Sequence, residues 1–202
     1  DGSLSPYELN INYFDALSDP HGTDPIEFRV ARFVAAHAIM LSLVGVPGIY
    51  FHSLFGSSGW PEGVVQTGAN RAINRQKLSR EALDAELAIP GAQRAMVFQR
   101  LAQLLRLGAL HPAFHPHGAQ RMLPTDGRVF ALARLAPGER EAVLCLVNVT
   151  AQPATAHVER SDLPPSLDSP LRDLLSGTLI EREETFSIDL LPYQVCWIVR
   201  AE

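Results

Sequence analysis

The chain has 202 residues, 47% of them apolar and 19% charged, with a formal net charge of −5. That composition can bury a sizeable core in one or two globular domains and excludes a disordered polar chain. The acidic balance, with Lys and Arg scattered singly or in pairs, excludes a clustered basic face of the kind that binds nucleic acid.

Residues 1–22 read as a loop, because Pro6, Asn10, Asn12, Asp19 and Pro20 are turn formers interleaved with Tyr7, Tyr13 and Phe14. Tyrosine, carboxylate and amide groups in such a segment suit a hydroxyl-rich ligand, and they are equally at home in an ordinary loop. The start carries neither a basic n-region nor an apolar h-region, so no signal peptide is visible, and there is no initiator methionine.

A helix is predicted next, with Asp24 as its cap, Pro25 at the first helical position and Glu27 completing a capping box. Phe28, Ala31, Ala35 and Ile39 recur at helical spacing, and the apolar face widens through Met40, Leu41, Leu43 and Val44. Gly45 is expected to end the helix in a left-handed conformation. Val46–Phe51 then reads as a short strand covered on both faces, as in a parallel sheet. The apolar run from Phe33 to Phe51 is long enough to raise a membrane span, but His37 interrupts it and Gly45, Pro47 and Gly48 break it.

Helix, tight turn and buried strand make one unit of an α/β fold, whose chemistry sits beyond the carboxyl ends of its strands. Here that places the site in residues 52–75. Arg71 and Arg75 flank Ala72, Ile73 and Asn74 in this stretch, and a guanidinium there could grip two hydroxyls or a phosphate with its planar fork. Ser79 then caps a helix to about Leu87, and a second amphipathic helix runs from about Ala92 to Leu107, closed by Gly108.

From Leu110 the periodicity falls toward two, in VFALARLA, EAVLCLVNVT, ATAHVE and FSIDLLPYQVCWIVR, with PGER as a hairpin turn. This half is expected to be an antiparallel β domain, with the boundary between Leu110 and Gly118. Cys145 and Cys196 lie in its strand-like runs and read as buried free thiols. His111, His115 and His117 invite a metal reading, but Pro112 and Pro116 spoil helical ligand spacing and no cysteine or carboxylate stands beside them, so no metal is expected.

PYELNINYFDAL at Pro6–Leu17, GVPGIYFHSLFGS at Gly45–Ser57 and NRAINR at Asn70–Arg75 occur in an order and spacing that resembles the sucrose phosphorylase branch of the α-amylase superfamily, glucosylglycerate phosphorylases included. The resemblance covers essentially the whole chain. It implies the C-terminal portion of a (β/α)8 TIM barrel over residues 1–110, followed by a small all-β domain over residues 111–202. It implies a cytoplasmic retaining glycoside phosphorylase that moves a glucosyl unit from an α-glucoside to inorganic phosphate, with no other cofactor, no metal, no membrane and no nucleic acid.

The family's aspartate nucleophile, glutamate acid/base and His-Asp pair would precede Asp1, leaving no catalytic residue in this chain, which alone is expected to be inactive. Carried over residue by residue, Arg75 matches the arginine that grips the donor glucosyl unit. Tyr7 and Glu8 match a tyrosine and a glutamine on a mobile acceptor-side loop, and Ser5 stands where sucrose phosphorylase has an acidic residue against fructose. The glutamate gained and the acid lost place fructose in doubt as the acceptor, and the SPYEL form looks more like the glucosylglycerate-type members. A hydrolase or transglucosidase of the same superfamily, or a non-catalytic carbohydrate-binding module, stays open.

Overall fold

The structure, a computed structural model, describes residues 9–167, 170–180 and 186–201. The chain forms two compact units, one of residues 1–30 and 49–98, the other of residues 31–48 and 99–202.

The first unit is built from short helices: α1 (Tyr13–Leu17), the opening turn of α2 (Ile26–Ser42), α3 (Phe51–Leu54), α4 (Pro61–Thr67), α5 (Arg80–Leu87) and the start of α6 (Gln93–Leu110). A single 3-10 stretch, Asn70–Asn74, lies between α4 and α5. Phe14 is buried under the Arg29 guanidinium, whose carbon sits 5.3 Å from the ring centre. Phe51 meets Phe55 edge-on, and Phe55 stacks on Phe98 at 5.2 Å. Ser79 caps α5 as expected, its hydroxyl accepting from the Ala82 N–H.

Among the described residues, the second unit holds the rest of α2 and α6 and an antiparallel sheet of six strands in the order β1-β2-β3-β8-β5-β6, with a separate β4-β7 pair. The strands are β1 (Ala119–Met122), β2 (Val129–Leu135), β3 (Ala142–Asn148), β4 (Ala154–Val158), β5 (Leu171–Asp173), β6 (Leu179–Ile180), β7 (Phe186–Leu190) and β8 (Val195–Arg200). The strand reading of this half holds for β2, β3, β4, β7 and β8, with alternating burial in β4 and β7. PGER forms the β2–β3 turn, with Gly138 and Glu139 both at positive φ. Between β2 and β8, β3 is buried at every position, so its sequence is nearly continuous in apolar residues instead of alternating. Its last residue, Asn148, donates from one buried amide to the carbonyls of Gln152, Leu190 and Leu191.

Arg134 of β2 is 1% exposed. One guanidinium nitrogen donates to the carbonyls of Ser42 and Leu43 at 3.0 and 2.7 Å, and another donates to that of His115 at 2.9 Å. It thereby serves as the C-terminal cap of α2 from a distant strand, where a cation also complements the helix dipole. Gln120 of β1 adds to this by accepting the Val44 N–H at 2.7 Å.

Two expectations need correction. The run Val46–Phe51 is not a strand. Tyr50 is extended, at φ −67° and ψ 143°, but no ladder pairs with this segment among the described residues, and Phe51 opens the short helix α3. Val46 is 83% exposed, Tyr50 54% and Phe51 50%. A parallel strand exists only where neighbours supply hydrogen-bond partners, and here none lies alongside. Gly108 likewise does not close α6, which continues to Leu110 and stops before Pro112. The edge of the Trp197 ring packs beside Gly108, so this glycine sits at a helix–sheet contact instead of a helix end.

Candidate functional site

Arg75 follows the 3-10 turn Asn70–Asn74, its N–H donating to the Ala72 carbonyl. It is exposed, and its guanidinium has no hydrogen-bond or ion-pair partner among the described residues. Its backbone is held far more tightly than its side chain. The Ile73 carbonyl accepts from the Trp60 N–H at 2.8 Å, and the Asn74 carbonyl accepts from the Tyr50 hydroxyl at 2.9 Å. Both donors come from the 50–60 stretch, which fixes the backbone just before Arg75.

His52 is buried, and its Nδ1 lies 3.1 Å from Ser57 Oγ. Ser57 Oγ also accepts from the Arg94 guanidinium, which bonds Glu86 at 2.8 Å through Nε. Burial, and then the Arg94 charge, pull the His52 pKa below the usual imidazole range, against the pull of the Gln76 carbonyl. Next to Arg94, Gln93 donates to the Gly56 carbonyl at 2.6 Å and to Ser58 Oγ. The first turn of α6 therefore clamps the turn at residues 56–58. Asn12 reaches the same turn, donating to the carbonyls of Ser57 and Ser58, and Asp15 accepts the Gly59 N–H at 2.6 Å.

A cavity of about 190 Å³ opens among Asn12, Tyr13, Tyr50, His52, Ser57 and Asn74, one residue from Arg75. Among the described residues it is lined by hydroxyl, amide and imidazole groups beside Ile11 and Phe14, with no lysine, arginine or carboxylate, a surface suited to neutral hydroxyls. Of the site residues expected from the sequence, Arg75 does not line this cavity and only follows its lining residue Asn74 in the chain. Tyr7, Glu8 and Ser5 lie outside the described residues. Sequence reasoning missed His52, Ser57, Arg94 and Gln93 as a connected set. Only the histidine and serine in FHSLFGS signalled it, because Arg94 comes from a helix 37 residues further on.

His111, His115 and His117 are engaged locally: His111 Nδ1 accepts from the Ala113 N–H, and His115 Nδ1 from the His117 N–H. No group of three or more metal-binding side chains stands together among the described residues, and no helix among them is long and apolar enough to cross a membrane.

No protein-family model matches the chain. In fold, it is similar to the crystal structure of AmyP in complex with maltose, with a TM-score of 0.72 at 21% identity over 91% of this chain and 37% of that one. Alpha-amylases are among the further solved structures it matches, which defines an α-amylase-type fold. In sequence, it is 46% identical over 204 residues to a glucosylglycerate phosphorylase of Spirochaeta thermophila, covering 96% of this chain and 33% of that protein. A glucosylglycerate phosphorylase of Allomeiothermus silvanus is 37% identical over 195 residues, covering 96% of this chain and 31% of the relative. The chain is homologous to glucosylglycerate phosphorylases over nearly its whole length, on a fold of the α-amylase type. It spans about a third of the length of the curated relatives it matches.

Proposed function

We propose that this chain is the C-terminal portion of a glycoside phosphorylase that converts an α-glucosylglycerate and inorganic phosphate into α-glucose 1-phosphate and glycerate. The observation that carries the reading is the 46% identity to a glucosylglycerate phosphorylase along 96% of the chain. In this frame residues 1–110 complete a (β/α)8 barrel and residues 111–202 form the all-β domain that follows it.

The chemistry is a double displacement. A carboxylate of the parent attacks the anomeric carbon while an acid protonates the departing glycerate oxygen, and the glucosyl ester that forms keeps the sugar bound. A phosphate oxygen then attacks the same carbon, releases the carboxylate and restores retention, with its proton taken up by the former acid. The two carboxyl groups of such a mechanism stand about 5 Å apart, and both are assigned to the parent's preceding segment, so the 202 residues alone turn over nothing.

Arg75 holds the donor glucosyl unit, its free fork meeting two adjacent sugar hydroxyls. Tyr7 and Glu8, with Ser5, face the acceptor. Incubating the full-length protein with glucosylglycerate and phosphate should release glucose 1-phosphate. Free glucose instead would assign a hydrolase, and turnover of sucrose in preference to glucosylglycerate would reassign the acceptor. Arg75→Lys in the full-length protein should lower kcat/KM by about 100-fold, since an ammonium cannot reproduce a bidentate fork.

A further inference from the structure

We propose that Tyr50 is a positioning residue for Arg75, its hydroxyl fixing the peptide unit from which the arginine side chain springs. This rests on the reading of Arg75 as the donor-sugar grip.

The peptide unit joining Asn74 to Arg75 is held at both of its polar ends. Its carbonyl accepts from the Tyr50 hydroxyl at 2.9 Å, and its N–H donates to the Ala72 carbonyl at 3.1 Å. A peptide unit is planar, so fixing its oxygen and its nitrogen fixes the whole plane, including the bond by which it enters the Arg75 Cα. One unit earlier, the Ile73 carbonyl accepts from the Trp60 N–H at 2.8 Å. The Ala72 and Trp60 bonds run from backbone to backbone. The Tyr50 bond is supplied by a side chain, and a single substitution removes it.

Tyr50 itself stands on a firm base. Its carbonyl accepts the Leu54 N–H at 3.0 Å at the start of α3, and its ring meets that of His52 edge-on, with centroids 5.5 Å apart. His52 is buried, its Nδ1 3.1 Å from Ser57 Oγ. All of these residues lie in the 49–98 part of one compact unit. The Tyr50 hydroxyl has one hydrogen and gives it to the Asn74 carbonyl, so it is not the donor that a sugar oxygen needs. Its effect on a sugar runs through Arg75, which is exposed. A planar fork that must meet two hydroxyls at once gains from a backbone already ordered when the sugar arrives, because ordering it at that moment weakens binding.

The test compares Tyr50→Phe with the unsubstituted full-length protein, since phenylalanine keeps the ring against His52 and removes only the hydroxyl. With glucosylglycerate and phosphate, Tyr50→Phe should raise the donor KM about fivefold and leave kcat within about twofold. On an Arg75→Lys background, where the fork is already lost, it should change KM by less than about twofold. A KM that Tyr50→Phe leaves unchanged overturns the positioning role. So does a penalty that persists in full on the Arg75→Lys background, which would put Tyr50 on the sugar directly. Hydrogen exchange reads the same bond without turnover. Tyr50→Phe should speed exchange of the Arg75 amide about fivefold and leave unchanged the Gly68 amide, which donates to the Val64 carbonyl at the end of α4. An Arg75 amide that exchanges as before overturns the proposal. A silent Arg75→Lys overturns it through the donor-sugar reading on which it rests, and a faster Arg75 amide tells that failure apart from a failure of the positioning role.

Discussion

Arg134 shows how far a single side chain can act from its place in the sequence. It is fully buried, burial pulls its pKa below the ordinary arginine value, and the bonds described for it end on backbone carbonyls. Truncating it would strand one buried and two partly buried carbonyls, so Arg134→Met should destabilise the protein by about 2 kcal/mol, measured by urea denaturation. A loss below about 1 kcal/mol would mean that water reaches those carbonyls unaided. Nothing local in VFALARLA marks this residue, because an arginine in a strand usually reaches solvent and its acceptors here lie 91 and 92 residues away. Arg75 was the opposite case. Its position past a predicted strand end, inside a recognisable motif, marks it in the sequence as a candidate donor-sugar grip. The two buried cysteines were also legible, since an apolar strand leaves a thiol little else to do. Burial pushes both thiols well above the ordinary range.

Among the elements, those whose signals are local were read well. The α2 and α5 helices, the β2–β3 hairpin and strands β4, β7 and β8 all carry caps, turn residues or apolar patterning within a few residues of themselves, whereas the short strands β1, β5 and β6 do not and were missed. The helix α4 was missed, although Pro61 and Glu62 form an ordinary helix start, because the surrounding glycines and serines read as a continuous loop. The stretch Val46–Phe51 failed for a different reason, since a strand is defined by its neighbours as much as by its own residues. The turn after α3 offers an element-scale prediction. Gly56 has a φ of +56°, and a Cβ there would lie 2.6 Å from a Val97 methyl. Gly56→Ala should therefore cost about 2 kcal/mol from backbone strain and overpacking together. A thermal melt of the variant reads it directly, and a Val97→Ala background should recover the steric part.

For the whole molecule, pH provides the clearest handle on stability. Burial is the largest cause of a lowered pKa at His37, His52 and His111, opposed at His37 by the Phe33 carbonyl and at His111 by Glu141, and reinforced at His52 by Arg94. The unfolded chain takes up protons at the ordinary imidazole value of about 6.5, above the folded values. The unfolded state therefore binds more protons in that window. The stabilisation is fully present above pH of about 6.5 and is lost as pH falls through the folded pKa values. The melting temperature should decline from about pH 7.5 to about pH 5, ahead of any carboxylate titration. A flat profile over that range would show that the three imidazoles stay as accessible to protons folded as unfolded.

The carbonyl clamp of Arg134 also implies an order of events during folding. The end of α2 and the residues after it are suspended from side chains of β1 and β2, through Gln120 and Arg134. The helix can wind early from its own local contacts, but its last turn and the GVPG segment have no anchor until strands distant in sequence have paired. Closing that large loop is slow, since long-range contacts repay their entropy only when they form together. Protection of the Val44 amide in pulse-labelled hydrogen exchange should therefore appear with the sheet and not with the helix that precedes it.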